Sequence, residues 1–169
     1  MCLMDIELLA PDAEVSFLGL DQLAGSDVST TKLHINHKTS NTKSSQAFRG
    51  IYAGSSLGSF EGKVSVAAHA ENSSAQQLYK SILLSESARA LVKPELEINN
   101  FNITASHGAS IGQLDAEALF YLRSRGLSFE AAQKILVQSL SRDILQEIHP
   151  VMREYLSAQV ELSLGALHE

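Results

Sequence analysis

Six histidines and a single cysteine are the side chains of this 169-residue chain best suited to hold a metal or move a proton, and their placement limits the chemistry available. Cys2 stands alone, so neither a disulfide nor a zinc or iron-sulfur site can be built from the chain's own thiolates. Any iron bound here needs other ligands or another chain. His34, His37 and His69 lie in stretches of alternating apolar residues, where strand histidines can converge on a metal. Parity puts His34 and His69 outward and His37 inward, so no common face is implied, and solvated or core-edge histidines are the simpler reading. His107 follows Ser106 and precedes Gly108, with Asp115 further on. Ser106, His107 and Asp115 invite a hydrolytic triad, but the nucleophile-elbow word GxSxG is absent, and adjacent Ser and His seldom reach triad geometry. His107 is read either as a ligand or interface imidazole, or as a turn residue hydrogen-bonded beside Gly108. His149, next to Pro150, is read as a helix C-terminal residue favoured by the macrodipole. No GxxxxGKS/T word occurs, so any ATP hydrolysis would belong to a partner.

The chain is long enough for one domain with a sizeable core and a helical appendage. Apolar residues make up 44% and charged residues 19%, the balance of a folded rather than a disordered protein. A net charge of -6, with 13 Lys and Arg among 19 acids, leaves no basic face for a phosphate backbone, so nucleic acid is not an expected partner. No apolar stretch approaches the roughly 20 residues of a membrane-spanning helix, and Asp5 and Glu7 stand where a signal peptide would carry Lys or Arg. No membrane is expected; the expected setting is the cytoplasm or an equivalent reducing compartment such as a plastid.

To position these groups, the first hundred residues offer short period-two stretches and no sustained helical spacing. Strands are expected near 3–9, 14–20, 30–37, 47–53, 57–61, 63–70 and 95–104, separated by turn-prone clusters such as Ala24 to Ser29 and Lys38 to Ser45. Val64, Val66, Ala68 and Ala70 are expected inward, and such small residues imply a tightly stacked core with little room for aromatics. The spacing suits a sandwich or a solenoid, and no repeat word recurs to choose between them. Ala75 to Ala90 fits a short helix or a strand with a long loop. From Asp115 the character changes. Asp115 is a good N-cap for a helix through Arg125, with Gly126 just past its end. Ser128 caps a second helix whose stripe is Ala132, Leu136, Leu140, Ile144 and Ile148, supported by Ile135 and Leu145. Pro150 ends or restarts helix, and Val151 to about Leu164 makes a third. Strands first and helices last predict a mainly β unit over 1–112 and a small C-terminal helical domain over 113–169.

From Ala105 to Gly126 the sequence reads ASHGASIGQLDAEALFYLRSRG. The words SHGASIGQLD and FYLRSRG, at this separation, resemble the segment near the C-terminus of the SufB/SufD family of iron-sulfur cluster assembly proteins, and its SufD branch in particular. KPELEI at Lys93 to Ile98, His37 and Ser44, FEGKVSV at Phe60 to Val66 and ILLS at Ile82 to Ser85 agree in order and distance. SufB members typically have Glu at the position of Gly108, which favours SufD. Family members are usually much longer, so the chain looks like a fragment.

The resemblance implies a right-handed parallel β-helix followed by a C-terminal α-helical domain. It implies a non-enzymatic scaffold that pairs with a SufB-like paralogue through the β-helix end and docks the ABC-type ATPase SufC through its helices. His107, with Ser106 and Gly108, corresponds to the SufB interface, and His107 to a histidine implicated in cluster formation as a metal ligand shared with the partner chain. Phe120, Tyr121, Arg123, Ser124, Arg125 and Gly126 correspond to the ATPase-docking helix; without the resemblance, Leu119 and Leu122 would simply pack inward and the arginines be solvated. No cofactor is firmly bound by the fragment; an iron-sulfur cluster passes transiently through the full complex, and ATP sits on SufC. Ala105 departs from the family, where many relatives carry Cys, and Asn99, Asn100 and Phe101 replace an acidic turn. The competing function is a β-solenoid enzyme acting on a carbohydrate or acyl substrate, which would need carboxylates clustered on one outer face; the acids look scattered between turns and tail. A β-helix cut open at Met1 would also self-associate, giving a homodimer of the fragment.

Overall fold

The computed structural model describes residues 1–166, and side chains through residue 161. Eight strands come first: β1 (Cys2–Leu8), β2 (Glu14–Leu23), β3 (Val28–His37), β4 (Lys43–Tyr52), β5 (Leu57–Val66), β6 (Ser73–Leu83), β7 (Arg89–Ile98) and β8 (Ile103–Gly112). Three helices follow: α1 (Ala116–Ser124), α2 (Phe129–Gln146) and α3 (Pro150–Ala166). Odd strands form one parallel sheet in the order β1-β3-β5-β7, and even strands a second in the order β2-β4-β6-β8. Each coil contributes one strand to each sheet, so the chain winds as a parallel β-helix of about four turns. Cys2 lies opposite Thr31, Thr31 opposite Phe60 and Phe60 opposite Val92, a period of about 30 residues.

The repeat that no word announced is carried by backbone conformation at the corners. Asp12, Asn41 and Asn72 take the left-handed conformation with φ of 63°, 61° and 54°, each just ahead of an even strand. Asx residues tolerate that region because their short polar side chains bond locally. The N–H of Asn41 donates to Glu71 O at 2.8 Å and that of Asn72 to Asn102 O at 2.8 Å, tying corner to corner. At the opposite corner Gly54 has φ +66°, and a Cβ there would lie 2.6 Å from Gly25 O.

Inside, the sheets meet over a core richer in aromatics than the small inward residues imply. Phe48, Phe60 and Tyr79 stack with centroids 4.8 to 5.4 Å apart, and the Tyr52 and Tyr79 hydroxyls meet at 2.9 Å. All four rings are buried. Their space comes from glycines in the strands: a Cβ at Gly50 or Gly58 would collide with Tyr52, and one at Gly19 would lie 2.6 Å from Phe48 Cε2. Glycine reads as a strand breaker in sequence, whereas here it is the hole into which a ring fits.

Other expectations shift for similar local reasons. The stretches 57–61 and 63–70 are one strand, β5, ending at Val66; Ala68 and His69 lie in the following turn and are exposed. Ala75 to Ala90 is no helix: β6 alternates buried Ala75, Gln77, Tyr79 and Ser81 with outward Gln76, Leu78 and Lys80, and the polar members of the inward set hid the period of two. The expected 95–104 strand breaks at Asn99, so β7 and β8 are separate and β8 reaches Gly112.

One buried polar corner sets an acid limit. His37 is 0% exposed, with Nδ1 2.8 Å from Thr42 Oγ1 and Nε2 2.8 Å from Ser44 Oγ. Burial lowers its pKa below the ordinary imidazole value. The unfolded chain therefore takes up a proton near pH ~6.5 that the folded chain refuses, and stability is lost as pH falls below that point, by up to ~1.4 kcal/mol per pH unit until the folded pKa is reached. Urea midpoints between about pH 7.5 and 5.5 should show a shallower acid loss in His37→Gln than in the wild type; equal slopes would exclude His37 as the source.

The tail packs on the outside of the even sheet. Ile51 of β4 and Val137 of α2, both 0% exposed, form a cluster with Leu20, Ile82, Leu84, Leu114, Leu140 and Val160. Gln22 donates to Ser141 Oγ at 3.3 Å. The buried face of α2 is Ala132, Val137, Ser141, Ile144 and Leu145. It keeps Ala132, Ile144 and Leu145 of the expected stripe but is turned toward Val137 and Ser141, leaving Ile135 exposed and Leu136, Leu140 and Ile148 at its margin. The strict i, i+4 row drifts around a helix of 3.6 residues per turn, and the sheet selects the face that meets Ile51. α2 ends at Gln146, and His149 O accepts from the N–H groups of Met152 and Arg153. His149 thus stands at the start of α3 with Pro150 as its first residue, rather than at a helix C-terminus. The last three residues of the expected 113–169 span lie outside the described residues.

Candidate functional site at the last rung

His107 sits in the middle of β8, in register with Gln77 of β6, which pairs with Gln46 of β4, itself opposite Phe17 of β2. In-register residues of a parallel sheet share a face, and Gln46 and Gln77 are buried inside the solenoid. Ala105, two residues before, packs on the inner cluster of Val64, Val66 and Ala75. His107 therefore belongs to an inward-facing column, yet it is exposed because no further described strand covers β8. Ser106 and Gly108 fall on the opposite face, in register with outward Gln76 and Leu78. A Cβ at Gly108 would meet Leu78 at an ordinary 3.5 Å, so packing does not demand glycine there.

The backbone of this rung is also open. Arg89 N–H bonds Ser56 O and Asn99 N–H bonds Val66 O, so odd residues of β7 face β5 and even ones face outward. Pro94 falls on that outward side, where its missing N–H breaks no bond within the sheet. In β8 the parity is reversed: Ser74 N–H bonds Thr42 O, which leaves Ile103, Ala105, His107, Ala109 and Ile111 with free backbone groups. The end of the solenoid thus presents two strand edges and an apolar interior surrounding one imidazole. At its corner, Asn100 donates to Ala68 O at 2.8 Å and Phe101 is fully exposed.

Among the described residues the other histidines do not join it. His34 Nε2 lies 2.9 Å from Ser65 Oγ, and His69 Nε2 lies 2.7 Å from Lys38 O. Among the described residues no three His, Cys, Asp or Glu side chains gather as a metal site. Asp115 is occupied as the α1 cap, accepting from the N–H groups of Glu117 and Ala118 at 2.8 and 3.1 Å.

The acids are less scattered than the sequence suggests. Glu61, Glu95 and Glu97 line the outer face of the odd sheet, interleaved with lysines: Lys32–Glu61 2.8 Å, Lys93–Glu95 3.3 Å and Lys63–Glu97 2.6 Å. Hydrogen bonds from Lys32 and Lys63 hold the Glu61 and Glu97 carboxyls below their ordinary pKa, the reverse of what a general acid requires.

On the tail, α1 buries none of its residues fully; Leu119 and Leu122 are half-buried, whereas Phe120 and Tyr121 are 75% and 56% exposed. Arg125 lies 5.2 Å over the Tyr121 ring, Ser124 Oγ donates to Tyr121 O at 2.7 Å, Arg123 is exposed, and Gly126 ends the helix at φ +93°. The outward side of α1 is a small aromatic and cationic surface.

The profile of the family described as SUF system FeS cluster assembly, SufBD core domain, matches residues 2–140. The chain belongs to the SufBD family. That match takes in all eight strands described in this SufBD chain, α1 and most of α2. The chain is 40% identical over 137 residues to an iron-sulfur cluster assembly SufBD family protein of Synechocystis, covering 80% of the chain and 30% of that protein. It is 29% identical over 157 residues to the iron-sulfur cluster assembly protein SufD of Escherichia coli, covering 91% of the chain and 36% of that protein. A SufBD family protein of Galdieria sulphuraria is 30% identical over 122 residues, 72% of the chain and 54% of that protein. The chain thus spans about a third of the first two relatives. Among the described residues no helix is long and apolar enough to cross a membrane.

Sequence reasoning singled out His107 but not the SufBD chain's Gln46 and Gln77 beneath it. Two glutamines at matching positions of successive strands were the available signal, invisible until the rung period is known.

Proposed function

We propose that the chain is the C-terminal portion of a SufD-type scaffold subunit, not itself an enzyme, which pairs with a SufB-like paralogue across the open β7/β8 rung and docks a SufC-type ABC ATPase on its helical tail. The observation that carries this reading is the placement of His107: central on the last rung, inward by parity and uncovered. An imidazole so placed can share an iron with a ligand from the facing chain, the iron-sulfur cluster being cargo and ATP residing on the ATPase. Ala105 brings no thiol, so sulfur ligation would come from the partner. Phe120, Tyr121, Arg123, Ser124, Arg125 and Gly126 supply the ATPase-docking face, aromatic and arginine side chains being effective anchors. The setting is the cytoplasm or a plastid.

Co-expression of the full-length protein with its SufB-like and SufC-like partners tests this. His107→Ala should leave the complex assembled while cluster formation falls at least about tenfold, the scale of losing one metal ligand or its orienting partner. A version lacking everything after residue 112 should no longer capture the ATPase. Undiminished clusters in the first would remove His107 from the mechanism, and retained capture in the second would remove the tail from docking.

A further inference from the structure

The glutamine column inside the solenoid has a direction. Gln77 donates from Nε2 to Gln46 Oε1 at 2.9 Å. A primary amide that gives its N–H to the strand behind turns its carbonyl toward the strand ahead, as in stacked glutamine ladders. The residue ahead in register is His107. Gln77 is 3% exposed, and its Oε1 has no hydrogen-bond partner. A buried acceptor left without a donor is costly and calls for a partner. The amide packs against Gly62 on its Nε2 side, so closely that a Cβ there would collide with Nε2. His107, exposed on the last rung, is free to rotate its ring and bring an N–H to that oxygen.

We propose that Gln77 is a positioning residue for His107: its Oε1 accepts the N–H of the imidazole nitrogen that faces into the solenoid. This fixes the tautomer and leaves the lone pair of the other nitrogen at the open end, available to iron. The inference rests on reading His107 as the cluster-facing residue. A ring N–H held by a carbonyl is the usual means by which a ligating histidine is oriented and its free nitrogen made more basic. Gln46 Oε1, by accepting that amide, keeps the N–H side of Gln77 toward the strand behind, while Gln46 Nε2 has no partner of its own.

The test is nuclear magnetic resonance of the intact chain labelled with 15N-histidine, at about pH 8 where an ordinary imidazole is neutral. His107→Ala assigns the signals. The wild type should show one protonated and one unprotonated His107 nitrogen, well separated. In Gln77→Leu the two should move together toward the tautomer mixture of a solvated histidine, and cluster formation in the full complex should slow several-fold with partner pairing unchanged. Because Gln77→Leu strips Gln46 of its donor, the double variant Gln46→Leu with Gln77→Leu, which clears the whole column, should give the same collapse in a chain with no orphaned amide. Identical His107 signals in wild type and both variants would overturn the contact. A tautomer shift accompanied by full cluster formation in His107→Ala would keep the contact and overturn the cluster-facing reading of His107.

Discussion

Gly58→Ala is expected to cost about 3 kcal/mol of stability, at the upper end of what one added methyl does in a packed core. The new Cβ would run into Tyr52, which a Cβ at Gly50 would also strike, so the ring is confined from two strands. It cannot slide away, being 0% exposed and bonded through its hydroxyl to Tyr79 at 2.9 Å. Denaturant midpoints measure the loss. Tyr52→Leu in the Gly58→Ala background should recover part of it, with a coupling above about 1 kcal/mol because the two sites share one volume. Gly112→Ala, where a Cβ meets nothing within 4 Å, is the control and should be silent. Equal behaviour at the two glycines would show that the aromatic stack yields.

Val137→Asp should undo the tail without undoing the solenoid. Val137 is 0% exposed and packs against Ile51 in an apolar cluster, and an unpaired carboxylate there costs roughly 3–5 kcal/mol. That is enough to lift α2, which is joined to the even sheet chiefly through this cluster, while the Phe48, Phe60 and Tyr79 stack is untouched. Hydrogen exchange should show α2 losing protection and β4 to β6 keeping it, and under the proposed docking role ATPase capture should fail together with α2. Protection retained in α2 would mean that Ser141, Ile144 and Leu145 hold the helix without Val137.

The parts legible in the sequence share a physical basis. Helix caps at Asp115 and Ser128 are local, and both side chains accept the expected backbone N–H groups. The parity of His37 was legible because its apolar neighbours Leu33 and Ile35 alternate cleanly; β6 was not, because its inward set includes Gln77 and Ser81. The parallel β-helix itself came from resemblance, since its repeat is written in left-handed corners at Asp12, Asn41 and Asn72, and residues of different type can take that conformation. His107 stood out by its motif, but its inward face and its stack over Gln77 depend on a register that only the wound chain defines.

Each coil of this fold touches only the coils beside it, so stability passes along the stack from neighbour to neighbour. The coil of β7 and β8 has such a neighbour on one side only among the described residues. In a linear array of this kind the terminal unit frays first, and its opening free energy lies well below that of the aromatic middle. The imidazole of His107 is therefore mounted on one of the two terminal coils of the described β-helix, where ordering the strand and engaging a partner across it would be thermodynamically coupled.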